Sequence, residues 1–278
     1  MKKLLLLLLL LTNVLNAQTS QEPSGLAVVV SSNANKLPIV DGLLHLISGW
    51  DGVWGMNKGS TTVSVNDLAA PCSPPGTWKA TYSKGWEDGV GPVTLWAQRT
   101  KIPTAEYKLA YIRVCLKIGN NGLYENQSSG TKLMFINLGD GPTGAHCSII
   151  PRVDGDGGVK IKADWRAEIS FECFNVIPNA LWYEKNTNIR PIKSDKWQVH
   201  EYIINAGDID KNNGYIKWYI DGTLAIEKYN ILFRTAKSNF THKVYKWKWA
   251  PTWGGNSGQV KTRVDYYYID DIYMSGSP

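Results

Sequence analysis

The chain reads as an all-β protein built from many short antiparallel strands in a sandwich or barrel. Three observations carry this. Runs rich in Val, Ile, Thr, Tyr and Trp alternate with the turn dipeptides Asp41-Gly42, Asp51-Gly52, Asp88-Gly89, Asn121-Gly122, Asp140-Gly141, Asn213-Gly214 and Asp221-Gly222. No helical periodicity lasts beyond a turn or two. The stretch GYIKWYIDGTLAIEKYN is a hairpin by itself, with residues 215–220 and 223–229 pairing across Asp221-Gly222.

The elements follow in chain order. MKKLLLLLLLLTNVLNAQ has two lysines, a leucine run from Leu4 to Leu11 and a polar cleavage region. It is expected to be a signal peptide over residues 1–17, cut near Ala17–Gln18. The leucine run falls short of the roughly 20 residues that span a bilayer. Residues 18–35, rich in Ser, Gln and Asn, are expected to be a weakly ordered lead-in. No linker or repeat divides residues 36–278, and all-β domains commonly reach about 200–250 residues, so one domain is expected. Besides the hairpin, strands are expected over 93–99, 109–118, 131–138, 160–174, 196–205, 242–250 and 263–274. PCSPPG at 71–76 is a loop.

Composition narrows the function. Loss of Lys2 and Lys3 with the signal takes the formal charge from +6 to +4, and the mild excess favours an acidic partner. No Lys/Arg cluster points to nucleic acid, and no second apolar stretch approaches membrane length. A secreted monomer is expected. Cys72, Cys115, Cys147 and Cys173 allow two disulfides in three connectivities, and the absence of CxxC argues against zinc. Asn126-Gln-Ser and Asn239-Phe-Thr are sequons. No cofactor is expected. DGDGG (154–158) and GDIDKNNG (207–214) have the oxygen-rich character of loops for a structural Ca2+, though Asn213 replaces a required Gly and the terminal Glu is missing.

Twelve Trp and fourteen Tyr stand against five Phe. Rings that join a flat apolar face to a polar edge suit the C–H faces and hydroxyl rims of sugars, and they also fill sandwich cores. Alternation places functional groups on strand faces. DWRAEISFEC would set Asp164, Arg166, Glu168, Ser170 and Glu172 on one face. KWQVHEYII would set Gln198, His200 and Tyr202 in one row. KVYKWKWAP would align Lys243, Tyr245, Trp247 and Trp249. VDYYYIDDIYMSG would align Tyr266, Tyr268 and Asp270. Tyr202, Lys217, Tyr245, Trp247 and Trp249 are the candidate sugar contacts.

From about residue 160 to 276 the order of these motifs resembles the concanavalin A-like jelly-roll superfamily of glucanases, polysaccharide lyases and lectins. The resemblance rests on the Glu-bearing strand, WxxHEY, NNGYIKWYIDG, WxPxWGG and the closing YYYIDDIYMSG. It implies a jelly roll of two packed antiparallel sheets. RAEIS resembles the R-[ST]-E-[LV]-R strand of alginate-lyase-type members, with Ser170 in place of the second Arg, and QVH resembles their Q-[IV]-H. The later Tyr-x-Lys-Ala-Gly strand of that family is missing. EISFE resembles the E-[IL]-D-x-E signature of retaining glucanases, with Ser170 in place of the central Asp.

The first expectation is a lyase that cleaves an acidic polysaccharide by β-elimination. In it Arg166 and Gln198 neutralise the uronate, His200 or Tyr202 is the base, and Tyr266 or Tyr268 is the acid. A lectin-like glycan-binding module is the second reading. A retaining hydrolase with Glu168 as nucleophile and Glu172 as acid/base is the third.

Overall fold

The computed structural model describes residues 20–32, 39–40, 43–44, 52–54, 62–72, 74–98, 106–119, 130–139, 146–153, 164–174, 182–185, 192–236, 241–255 and 258–278. The signal region and the DGDGG loop lie outside them.

The strands run in order as β1 (Ala27–Ser32), β2 (Ile39–Val40), β3 (Leu43–Leu44), β4 (Gly52–Trp54), β5 (Thr62–Asn66), β6 (Gly76–Tyr82) and β7 (Thr94–Gln98). They continue as β8 (Leu109–Ile118), β9 (Thr131–Lys132), β10 (Phe135–Leu138), β11 (His146–Val153), β12 (Asp164–Trp165), β13 (Ala167–Phe174) and β14 (Trp182–Lys185). The last are β15 (Ile192–Lys193), β16 (Trp197–Asn205), β17 (Gly214–Ile220), β18 (Thr223–Ile231), β19 (Val244–Trp249), β20 (Thr252–Trp253) and β21 (Asp265–Ser277).

Two large sheets result. The first has the order β18-β17-β16-β8-β21-β6-β5, with β1 also paired to β21. The second has the order β14-β13-β11-β10-β19-β7-β4, with β9 paired to β11 and β20 to β9. Both are antiparallel, one curls into a half-barrel, and the architecture is the expected concanavalin A-like jelly roll.

The sequence explains the layering. In β8, Ala110, Ile112, Val114, Leu116 and Ile118 are buried in the common core, while Arg113 and Lys117 alternate with them on the outer face. The β17–β18 turn has positive φ at both Asp221 and Gly222, the geometry that closes a two-residue hairpin. Between the sheets, Trp249 lies 5.9 Å from Trp78 and 6.0 Å from Tyr267, and Phe171 meets Phe233 edge-on at 5.1 Å. The buried Tyr82 hydroxyl donates to the Pro251 carbonyl at 2.9 Å.

Three local features depart from simple alternation. A register shift between Asp270 and Ile272, with Asp271 at φ 37°, turns Ile272 and Met274 into the core. A shift opposite β19, between Asn137 and Leu138, lets Val244, Trp247 and Trp249 face inward instead of one unbroken alternating set. The 160–174 stretch divides, because β12 pairs with β15 in a separate two-stranded sheet and the β13–β11 ladder begins only at Ala167↔Val153. The lead-in also gains structure, since β1 pairs with β21 from Ala27↔Gly276 to Ser32↔Ile272.

Disulfides join Cys72 to Cys115 and Cys147 to Cys173. The second links register neighbours on β11 and β13.

Candidate functional site

The outer face of the second sheet gathers polar side chains in transverse rows. One row runs Glu168, Arg152, Lys132, Thr252 across β13, β11, β9 and β20. Another runs Glu172, Ser148, Asn137, Lys246 across β13, β11, β10 and β19. Between them Ser170 pairs with Ile150, and Phe135 with Lys248. Alternation turns Ala167, Ile169 and Phe171 into the core and leaves Glu168, Ser170 and Glu172 on this face.

The rows are tied together. The Arg152 guanidinium donates through Nε and a terminal nitrogen to Glu168 Oε1, and its other terminal nitrogen lies 4.0 Å from Glu172 Oε1. Ser170 Oγ donates to the same Glu172 oxygen at 3.1 Å. Ser148 Oγ donates to Asn137 Oδ1, Lys132 Nζ to the Gly254 carbonyl, and the Lys248 ammonium stands 4.5 Å over the Phe135 ring. Glu168, Ser170, Ser148 and Asn137 are buried, while Glu172 and Lys132 retain contact with solvent. Among the described residues, Arg152, Lys132, Lys246 and Lys248 share the face with Glu168 and Glu172. Burial, followed by the positive charge of Arg152, draws the Lys132 amine down to about 8, against the opposing pull of Glu172 and Asp88.

The sequence-predicted residues fall in three places. Glu168 and Glu172 belong to this face. Arg166 sits half-buried at the break between β12 and β13, outside the β13 ladder. Gln198, His200 and Tyr202 are on the first sheet and turn into the interior. The row they form exists, but all three side chains are buried. Gln198 accepts from the Lys193 amide and donates to Asp221 Oδ2. His200, 0% exposed, accepts at Nδ1 from Trp218 Nε1 at 3.2 Å. Burial drives its pKa down to about 3, which leaves a neutral ring enclosed by the core. Tyr202 lies 5.2 Å from Trp218, with no hydrogen-bond partner for its hydroxyl among the described residues.

Trp247 and Trp249 are likewise core residues, and Lys243 and Tyr245 of that predicted stripe are partly exposed. Tyr266 and Tyr268 are partly exposed on the outer face of the first sheet, across the sandwich from Glu168. Lys217 shares that outer face with Tyr215 and Tyr229, its ammonium 5.9 and 5.5 Å from their rings. The single constellation of Arg166, Gln198, His200 and Tyr266 or Tyr268 is therefore not assembled. In the 207–214 loop, Asp208 binds Lys108 and Asn213, and Asp210 accepts from Thr235 and Ala236. Among the described residues, no three His, Cys, Asp or Glu converge to hold a metal.

Arg152, Lys132, Asn137 and Ser148 are new to the site. The signal for Ser148 and Arg152 was the alternation Ser148, Ile150, Arg152 in SIIPRV, masked by Pro151, a residue uncommon within strands.

No family model matches the sequence, and no curated protein matches it. Solved structures share the fold at low identity. An alginate lyase of class PL-14 from Aplysia kurodai superposes with a TM-score of 0.62 at 13% identity, over 90% of this chain and 100% of that one. An alginate lyase from Chlorella virus gives 0.58 at 14%, over 90% and 100%. An endo-β-1,4-glucuronan lyase from the fungus Trichoderma reesei gives 0.56 at 11%, over 83% and 92%.

Proposed function

We propose that this protein is a secreted polysaccharide lyase that cleaves an acidic glycan by β-elimination on the outer face of its second sheet. The observation that carries the reading is the row Glu168–Arg152–Lys132, which sets an amine of lowered basicity beside a fixed guanidinium on a face with a surplus of cations. The fold shared with alginate and glucuronan lyases supports it, although one fold hosts many activities. Two disulfides agree with an oxidising compartment, and no helix among the described residues is long and apolar enough to cross a membrane.

Each chemical requirement has a resident group. The uronate carboxylate is met by the Arg152 guanidinium, the ladder neighbour of Lys132, which lowers the cost of charge developing at C5. Neutral Lys132 takes the C5 proton. The C5–H electron pair forms the C4=C5 bond as the C4–O bond breaks. The ammonium of Lys132 then returns the proton to the departing oxygen, so one side chain serves both halves of a syn elimination. Glu168 and Ser170 hold Arg152 and Glu172 in place. The hydrolase reading fits less well, because the Arg152 guanidinium already lies between the two carboxylates that hydrolysis would employ.

The purified protein is to be incubated with alginate, glucuronan, a heparinoid and neutral β-glucans while ultraviolet absorbance and new reducing ends are followed together. An unsaturated chromophore from a uronate polymer is expected. Reducing ends without absorbance, abolished in Glu168→Gln, would transfer the assignment to hydrolysis. Glycan retention with neither signal would make it a binding module.

A further inference from the structure

The opposite face of the sandwich carries a second organised set of groups. Across the outer side of the first sheet, Lys79 pairs with Tyr268, Tyr268 with Lys117, and Lys117 with Trp197, on β6, β21, β8 and β16. Strands lie about 4.8 Å apart, so this row of alternating cation and ring spans about 14 Å. Tyr266 extends it along β21, 6.2 Å from Tyr268. All five side chains are partly exposed.

The row is held in shape. Asp67 Oδ2 pairs with Lys117 at 2.5 Å and accepts from Trp197 Nε1 at 2.9 Å, which fixes both groups. The loop that carries Asp67 is anchored nearby by Cys72–Cys115. Trp197 meets Tyr268 edge-on at 6.4 Å, and Lys117 lies 4.5 Å over the Tyr268 ring. Lys79 differs from Lys117. Its ammonium rests 3.6 Å over Tyr266, and no carboxylate among the described residues pairs with it. A cation next to two partly exposed rings, without a carboxylate partner among the described residues, fits a ligand that is flat, hydroxylated and negatively charged.

We infer that Lys79, Tyr266, Tyr268, Lys117 and Trp197 form a second binding surface for an anionic sugar chain, distinct from the face assigned to cleavage. Sugar rings stack on Tyr268 and Trp197, and a uronate carboxylate meets Lys79. Together with the cleavage face, this surface lets the protein hold a polymer at two places, which raises residence on long chains. The inference concerns binding alone and stands whether or not the other face breaks bonds.

The test uses the Lys132→Ala protein, so that the polymer stays intact, in affinity electrophoresis through gels containing sodium alginate, polyglucuronate or a neutral β-glucan. Adding Lys79→Ala and Tyr268→Ala is expected to weaken retention by a uronate polymer about tenfold, the sum of one charge contact and one stacking contact. Retention should also fall with salt, and Lys79→Arg with Tyr268→Trp should restore it. An unchanged melting temperature shows that the fold is intact. Undiminished retention of the double variant, retention only by neutral glucan, or no retention of the parent by any uronate polymer would each overturn the proposal. Failure of the cleavage reading is visible separately, as absence of chromophore from the protein with Lys132 intact.

Discussion

Lys132 lies between Arg152 and Thr252 in the ladder, and its amine titrates near 8 because burial and a neighbouring guanidinium oppose its charge. As the proposed base, it must be neutral to act. Turnover is therefore expected to rise with pH through about 8, and Lys132→Ala to lower it about 100- to 10,000-fold with substrate binding largely kept. A pH–rate profile checks the first and steady-state kinetics the second. His200 is the contrasting case. Its folded pKa of about 3 lies below the ordinary 6.5, so the unfolded chain binds the proton first as the pH falls. Its contribution is intact above pH 6.5 and declines below that by about 1.4 kcal/mol per pH unit, down to about pH 3. Denaturant titrations at pH 7 and pH 5 should show this loss, and a folded His200→Gln variant should lack that component. Trp249, fully buried between the sheets, should cost about 3–5 kcal/mol as Trp249→Ala in the same titrations. A sugar-stacking tryptophan would leave stability nearly unchanged.

At the scale of elements, Cys147–Cys173 ties β11 to β13, the two strands that carry Arg152, Glu168 and Glu172. It closes a separation of 26 residues, and its removal as a Cys147→Ala/Cys173→Ala pair should cost about 3.5 kcal/mol by the chain-entropy relation, measured as a lower denaturation midpoint. Strand identity was legible where local pattern and burial agree. Leu109–Ile118 coincides with its expected bounds, and Asp221-Gly222 marked the hairpin turn. Which face of a strand looks inward was less legible. QVHEYII alternates in the sequence as in the structure, but alternation carries no sign, and the row with the chemically richer letters is the one that packs against Trp218 and the core. The bulge at Asp271 and the shift opposite β19 depend on cross-strand pairing, which a single sequence does not display. For the same reason the ladder neighbours Arg152 and Glu168, sixteen residues apart, could not be recognised as a pair beforehand.

For the whole molecule, the two sheets share one aromatic core and present two dissimilar polar faces. The Tyr and Trp excess divides accordingly. Trp78, Trp218, Trp247, Trp249 and Trp253 fill the interior, whereas Trp197, Tyr266 and Tyr268 lie beside lysines on the outer side of the first sheet. The mild positive charge of the chain appears on both faces and favours a polyanionic ligand on each. The proposed activity is β-elimination through Lys132 on the second sheet's outer face. Its most direct test is the initial rate of ultraviolet absorbance increase on a uronate polymer, wild type against Lys132→Ala, with matched melting temperatures. An unsaturated product is expected from the wild type and almost none from the variant. An equal rate in both proteins would contradict it.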